Sequence, residues 1–170
     1  MFITIELMNR IKEEFVLDWN GIHGYSHWLR VRENGLFLAH HNNAIIEVVE
    51  LFAVLHDSKR NNDGFDLEHG KRAAELIKSL QGNLIFLKEA DFEELLFACE
   101  EHSSGLIDAT VTVQTCWDAD RLDLGRVGIK PESRYLCTSI AKEQEVIEWG
   151  YKRSMGIILD TPPNLPGDAA

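Results

Sequence analysis

The chain has 170 residues, of which 45% are hydrophobic, and this length and composition suit one domain with an ordinary core. Its 17 basic and 28 acidic residues give a net charge of −11, which argues against duplex nucleic acid as a partner, because phosphate binding needs a basic surface. Cys99, Cys116 and Cys137 lack C-x-x-C spacing, which predicts free thiols in a reducing compartment. No signal peptide or membrane span is visible, so the sequence predicts a cytoplasmic protein.

Seven blocks of helical periodicity follow one another along the chain, divided by clusters of Asn, Asp and Gly. Proline is absent before Pro131, which permits helices throughout the first three quarters of the chain. Helices are predicted at about 4–17, 24–41, 44–57, 66–80, 91–103, 110–124 and 138–154. The sequence therefore predicts an all-α, single-domain bundle at about residues 1–160, followed by a loose tail at 161–170.

Three segments carry local signals about helix starts or strands. Asp91 followed by Glu94 has the form of a capping box, and Asp66 is a candidate cap for the helix that carries His69. The segment 109–115 alternates and is rich in β-branched residues, so a short strand is an alternative to the helix predicted there.

The third predicted helix is apolar nearly all round between Ile45 and Leu55, which is typical of a central helix. It runs directly into His56 and Asp57. Burying an imidazole and a carboxylate is costly unless each finds a partner, and a bound cation supplies a partner for both. The pattern therefore indicates a cation site at the end of this helix.

A second polar interruption lies in the helix predicted at about residues 110–124, where Asp120 falls in the apolar stripe. Asp118 and Asp123 each have an arginine three residues on, Arg121 and Arg126, with which they are expected to pair. Asp120 has no basic residue three or four positions away in either direction. It is thus predicted to be the carboxylate that needs an outside partner, either a cation or a distant arginine.

Four histidines show the same kind of placement. His23 and His27 lie four residues apart on one helix face, and His69 and His102 fall on the apolar stripes of their own helices. A single histidine of this kind is usually a hydrogen-bonded core residue, and His102 also suits a helix C-terminus as a cation. The interruptions together favour one shared site over several unrelated ones.

In chain order these motifs read His27-Trp-Leu-Arg30, Leu55-His56-Asp57, Glu68-His69-Gly, Glu101-His102-Ser and Asp118-Ala-Asp120-Arg121-Leu122-Asp123. The ordered set, at about residues 20–130, resembles the HD-domain superfamily, metal-dependent phosphohydrolases on an all-helical fold. The resemblance implies that His27, His56, Asp57 and Asp120 are metal ligands. It implies that His69 and His102 either hold a second metal or face the substrate. The Ser58-Lys59-Arg60 that follows the His-Asp pair does not match the catalytic acid found there in other branches.

The resemblance also predicts the chemistry of the site. Imidazoles and carboxylates together suit Mn, Fe, Co, Ni or Mg, with one or two ions per chain. A bound dication lowers the pKa of its water and polarises a phosphoryl oxygen, and Asp57 is expected to steer that water. Arg30, Lys59 and Arg60 are candidate phosphate contacts, although a solvated helix end explains the last two equally well. His23 is a candidate proton donor to the leaving group.

The predicted function is that of a phosphohydrolase acting on a small phosphomonoester or a nucleotide, without a membrane partner. One alternative is a di-iron oxygenase, because HD-fold oxygenases hold two irons with the same order of ligands. Metal count and oxygen dependence distinguish it from a hydrolase. The other alternative is a non-catalytic sensor, which would bind a nucleotide or metal tightly without turnover.

Overall fold

The computed structural model describes residues 2–158 and 161–165. Seven α-helices make up most of this part: α1 (Ile5–Glu14), α2 (Tyr25–Asn42), α3 (Ile46–Leu55), α4 (His69–Leu80), α5 (Glu89–Glu101), α6 (Val111–Arg121) and α7 (Gln144–Ser154). Two short 3-10 helices, Leu124–Val127 and Ser133–Tyr135, connect α6 to α7. The predicted all-α class and the seven helical blocks are confirmed.

Helix α3 lies at the centre of the bundle. Every residue from Val48 to Leu55 is buried, and the helix packs against α1, α2, α5 and α6. A helix that is apolar on all sides is stable only where other helices cover all of its faces. Because of this central position, the residues that follow Leu55 enter the interior of the protein instead of a surface loop.

The other helices pack around α3 in two groups. Helix α4 lies on α5, and α2 lies on α6 and α7. The main core includes Trp28, Phe52 and Trp117, which are fully buried. A smaller core around Leu38 and Ile147 joins α2 to the C-terminal part of the chain.

The strand alternative for 109–115 is wrong, because α6 begins at Val111. The hydroxyl of Thr110 caps this helix by accepting a hydrogen bond from the Val113 amide at 3.4 Å. Val113 and Thr115 are buried, and α6 packs against α2, α3 and α5. Tertiary packing thus overrides the intrinsic β preference of these residues.

Both predicted caps are also wrong. Helix α5 begins at Glu89 with Lys88 as its N-cap, so Asp91 lies inside the first turn. Glu68 is the N-cap of α4. The Asp66 carboxylate instead accepts hydrogen bonds from the Asn61 amide at 2.9 Å and from the Arg72 guanidinium at 2.6 Å.

The C-terminal segment is described only in part. Leu165, in the predicted tail, is buried in the smaller core, whereas residues 166–170 lie outside the described residues. The domain bounds and the loose tail therefore stay predictions. Among the described helices, none has both the length and the apolar character needed to cross a bilayer.

Candidate metal centre

The ends of five helices meet at the C-terminal end of α3 and bring all six predicted metal ligands together. These are His27 in the first turn of α2, His56 and Asp57 after α3, His69 at the start of α4, His102 after α5, and Asp120 in the last turn of α6. All six side chains are buried or nearly so. Helix packing thus assembles in space a set of ligands that the sequence spreads over more than half of the chain.

The four imidazoles turn the same nitrogen, Nε2, toward the centre of the cluster. The Nε2 atoms of His27 and His56 lie 3.1 Å apart, and those of His69 and His102 lie 2.8 Å apart. Two unprotonated nitrogens at these distances repel each other unless a proton or a cation lies between them. The geometry therefore fits a site that binds positive charge.

Hydrogen bonds on the outer side of the cluster hold three of these imidazoles in place. Each Nδ1–H donates to a carbonyl oxygen three or four residues earlier, from His56 to Phe52 at 3.1 Å, from His102 to Cys99 at 2.7 Å, and from His69 to Asp66. A histidine that donates from Nδ1 keeps its Nε2 lone pair free for a metal. The backbone of three helix ends therefore sets the tautomer that a metal site needs.

Asp57 lies between the two pairs of histidines. Its Oδ2 is 3.6 Å and 3.7 Å from the Nε2 atoms of His27 and His56. Its Oδ1 is 3.2 Å and 3.4 Å from the Nε2 atoms of His69 and His102. One carboxylate thus offers one oxygen to each pair, an arrangement that can accommodate either one cation or two.

Asp120 completes the first histidine pair. Its Oδ1 lies 3.5 Å from Nε2 of His27 and 3.8 Å from Nε2 of His56, and this buried oxygen accepts no hydrogen bond from any described residue. A buried carboxylate oxygen without a donor is costly, and the nearest cation is Arg126 at 3.5 Å. The atom is placed as a metal ligand would be, and the donor set fits a divalent ion.

Asp118 has a different environment, although it lies only two residues from Asp120. Its carboxylate accepts hydrogen bonds from the Cys137 amide at 2.7 Å and from the amide and hydroxyl of Thr138, each at 2.8 Å. The predicted pairing with Arg121 is wrong, because that guanidinium instead donates to the backbone carbonyls of residues 106 and 135. Asp118 therefore links α6 to the connection before α7 and does not enter the cluster.

The protonation of the cluster follows from burial and charge. Burial lowers the pKa of His56 to about 3, so its imidazole is neutral near pH 7. Burial alone would raise the pKa of Asp57, but its electrostatic interaction with the His56 imidazole and hydrogen bonds from three further histidines hold it well below its usual range. The pKa of Asp120 is also lowered despite burial, chiefly by Arg126. For His102, burial lowers the pKa, but the hydrogen bond to Asp57 and the charges of Asp57 and Asp120 together outweigh it and raise the pKa.

Arginines anchor the carboxylates at the edge of the cluster. Arg60 donates from Nε to Oδ1 of Asp57 at 3.0 Å, and Arg30 makes a two-point contact with Asp123 at 2.6 Å and 3.0 Å. Lys59, by contrast, pairs with Glu14 of α1 at 2.8 Å. The structure therefore brings two of the three predicted phosphate contacts to the cluster and places the ammonium of Lys59 outside it.

His23 contacts the cluster in a different way from the other histidines. Its Nδ1 lies 2.9 Å from Oδ2 of Asp57, and its Nε2 lies 3.3 Å from the carbonyl oxygen of Asp63. Both ring nitrogens thus face oxygen atoms of other residues. His23 lies beside Asp57 and does not turn a ring nitrogen toward the other four imidazoles, and its role as a proton donor stays a prediction.

The principal contacts of Asp123 were not predicted from the sequence. Its carboxylate contacts Nδ1 of His27 at 2.7 Å and Arg30 at 2.6 Å, whereas the predicted partner Arg126 is 3.9 Å away. The principal partners lie 93 and 96 residues earlier in the chain. No local sequence signal reports a contact over such a distance.

Comparison with known proteins gives one structural match of note. Neither a family model nor a curated protein matches the sequence. The fold is similar to the crystal structure of a predicted HD superfamily hydrolase from an uncultured Thermotogales bacterium, with 27% sequence identity and a TM-score of 0.67. The similarity covers 89% of this chain and 86% of the other. The resemblance to the HD-domain superfamily that the sequence motifs predict is therefore confirmed.

Proposed function

We propose that the protein is a metal-dependent phosphohydrolase that acts on a small phosphomonoester or a nucleotide. The observation that carries the proposal is the cluster itself, in which four Nε2 atoms and an Asp120 oxygen surround both oxygens of Asp57. A divalent ion bound there would lower the pKa of a water ligand and polarise a phosphoryl oxygen.

The candidate ligands would form two groups, one on each side of the Asp57 carboxylate. His27, His56, Asp120 and Oδ2 of Asp57 would hold the first ion, and His69, His102 and Oδ1 of Asp57 would hold a second. His102 also lies within reach of His56 and Asp120. These donors suit Mn, Fe, Co, Ni or Mg. Because Asp57 contributes to both sides, it is the single residue whose loss would affect every ion in the site.

Positive side chains beside the cluster support an anionic substrate. The chain as a whole carries a charge of −11, so a phosphate ester needs a local positive field to approach. Arg30 and Arg60 supply guanidinium groups at the edge of the cluster, and the Arg30 side chain is 23% exposed. His23 would donate a proton to the leaving group, because it is held against Asp57 by Nδ1.

The test is phosphate release from a panel of phosphomonoesters and nucleotides by protein loaded with Mn²⁺ or Co²⁺. We expect turnover that a chelator abolishes and that is absent in Asp57→Asn. Glu50→Gln is the matched control, because Glu50 is also a buried carboxylate of α3 but pairs with Arg32 at 2.7 Å. Tight nucleotide binding without turnover would instead indicate a sensor.

One observation favours a second candidate, a di-iron oxygenase. Asp57 faces two histidine pairs, as a carboxylate shared by two metal ions would. The two functions differ in their need for oxygen. A hydrolase releases phosphate under anaerobic conditions, whereas turnover that requires oxygen and two irons per chain would support the oxygenase.

A further inference from the structure

We propose that Asp123, held by Arg30, is a positioning residue that fixes the tautomer of His27 and aims its Nε2 at the cluster. The inference rests on the proposed function only in taking His27 as a metal ligand. It does not depend on which substrate is used or on whether one or two ions bind.

The contacts of Asp123 are short and leave it little freedom. The carboxylate is fully buried, and its Oδ2 lies 2.7 Å from Nδ1 of His27. Arg30 donates from Nε to Oδ1 at 2.6 Å and from Nη2 to Oδ2 at 3.0 Å. Because both oxygens of this carboxylate accept from the guanidinium of Arg30, the contact with His27 places the ring hydrogen on Nδ1 and leaves the lone pair on Nε2.

The orientation of His27 is set in a different way from that of the other three imidazoles. His56, His69 and His102 donate to carbonyl oxygens three or four residues earlier in the chain. Nδ1 of His27 instead meets the carboxylate of Asp123, 96 residues later in the chain. The acceptor that orients this imidazole therefore comes from a distant segment.

The same short segment supplies both this acceptor and a candidate ligand. Asp120 lies three residues before Asp123, and the Asp123 amide donates to the Asp120 carbonyl at 2.9 Å. The end of α6 thus places one carboxylate against Nε2 of His27 and another against Nδ1. A carboxylate that accepts a hydrogen bond from one ring nitrogen of a histidine raises the basicity of the other nitrogen. This contact therefore makes His27 a stronger metal ligand than a hydrogen bond to a carbonyl oxygen would.

Asp123→Asn tests the inference because an amide cannot accept from all three donors. If its NH₂ group faces Nδ1 of His27, the hydrogen of the ring moves to Nε2 and blocks the metal-binding lone pair. If the NH₂ group faces Nε of Arg30, the two-point contact is lost and the acceptor is no longer held. Both arrangements weaken the metal site without removing a ligand.

The experiment measures Mn²⁺ affinity by calorimetry and, in metal-free protein, the tautomer of His27 by ¹⁵N NMR of the imidazole. In Asp123→Asn we expect affinity about 10–100-fold weaker, with disordering of the His27 ring or a larger fraction of the Nε2–H tautomer. Asp118→Asn is the matched control, since Asp118 is equally buried and lies five residues earlier, in α6, but bonds to residues 137 and 138. It should lower the melting temperature and leave affinity and tautomer unchanged.

Wild-type affinity in Asp123→Asn, or an equal loss in both variants, would overturn the inference. If Asp123→Asn does not fold, Arg30→Lys replaces it, and a several-fold loss of affinity is expected because lysine cannot make the two-point contact. Wild-type affinity in Arg30→Lys would likewise count against the inference. The proposed function fails separately, if the wild type binds Mn²⁺ with the expected tautomer but releases no phosphate.

Discussion

Two buried carboxylates on different faces of α6, those of Asp118 and Asp120, have opposite surroundings. On the face toward residues 137–138, Asp118 accepts three hydrogen bonds of 2.7–2.8 Å. On the face toward α2 and α3, Oδ1 of Asp120 is equally enclosed but accepts no hydrogen bond from the part of the chain that the structure describes. The difference teaches that burial alone does not identify a functional carboxylate, whereas burial without a partner, beside imidazole lone pairs, points to a ligand.

The largest expected effect concerns Asp57, which faces both histidine pairs. Asp57→Ala should abolish metal binding, and with it the rise in melting temperature that metal gives the wild type. A metal present at 1,000 times its Kd stabilises the native state by about 4 kcal/mol through mass action. Thermal unfolding with and without Mn²⁺ measures this increment. An equal increment in both proteins would show that the metal binds elsewhere.

The next prediction addresses the two faces of α6 directly. Asp120→Ala should lose metal, whereas Asp118→Ala should keep its metal per folded molecule. Asp118→Ala should instead destabilise the metal-free protein by about 3 kcal/mol, because three buried donors lose their acceptor. Metal analysis and denaturant unfolding of both variants decide the matter. If Asp118→Ala is the variant that loses metal, the contrast between the faces is wrong.

A smaller effect is expected for the second histidine pair. His69→Ala and His102→Ala should each remove one ion if the site holds two, because both residues face Oδ1 of Asp57. The stoichiometry would fall from two to one, while His27→Ala would disturb the other side. A wild type with one ion, retained in both variants, would assign these histidines to the substrate.

The smallest effect is expected at Lys59, which the structure separates from the cluster. Lys59→Ala should change stability by less than about 1 kcal/mol, since its pair with Glu14 is partly exposed. The pair lowers the pKa of Glu14, so its contribution is present at neutral pH and disappears as acid protonates that carboxylate. Arg60→Ala, which removes a donor from Asp57, should reduce phosphate release much more. Similar activity losses in the two variants would indicate that Lys59 does act at the site.

The sequence predicted those features that depend on local patterns. The apolar run before His56 forecast both the central helix and the buried His-Asp pair, and helical phase favoured Asp120 over Asp118. These features follow from 3.6-residue periodicity, which is visible in a single segment. The helix starts at Asp66 and Asp91 were wrong because capping signals are weak beside tertiary contacts.

Contacts between distant segments could not be predicted from the sequence. The pairing of Asp123 with His27 spans 96 residues, and Lys59 meets Glu14 across 45 residues. Asp123 was expected to pair with Arg126, and Lys59 was a candidate phosphate contact, but the packing of the helices gave both residues closer partners from distant segments. The clustering of the candidate ligands was predictable because their motifs are ordered, but the residues that contact them from outside the cluster were not.

The most direct test of the metal centre is anomalous diffraction from crystals grown with Mn²⁺. We predict an anomalous Mn²⁺ peak between the Asp57 carboxylate and the Nε2 atoms of His27 and His56, with Oδ1 of Asp120 as a further ligand. A second ion would lie on the side of His69 and His102. A fully occupied Mn²⁺ elsewhere on the molecule, with no peak beside Asp57, would contradict the central claim.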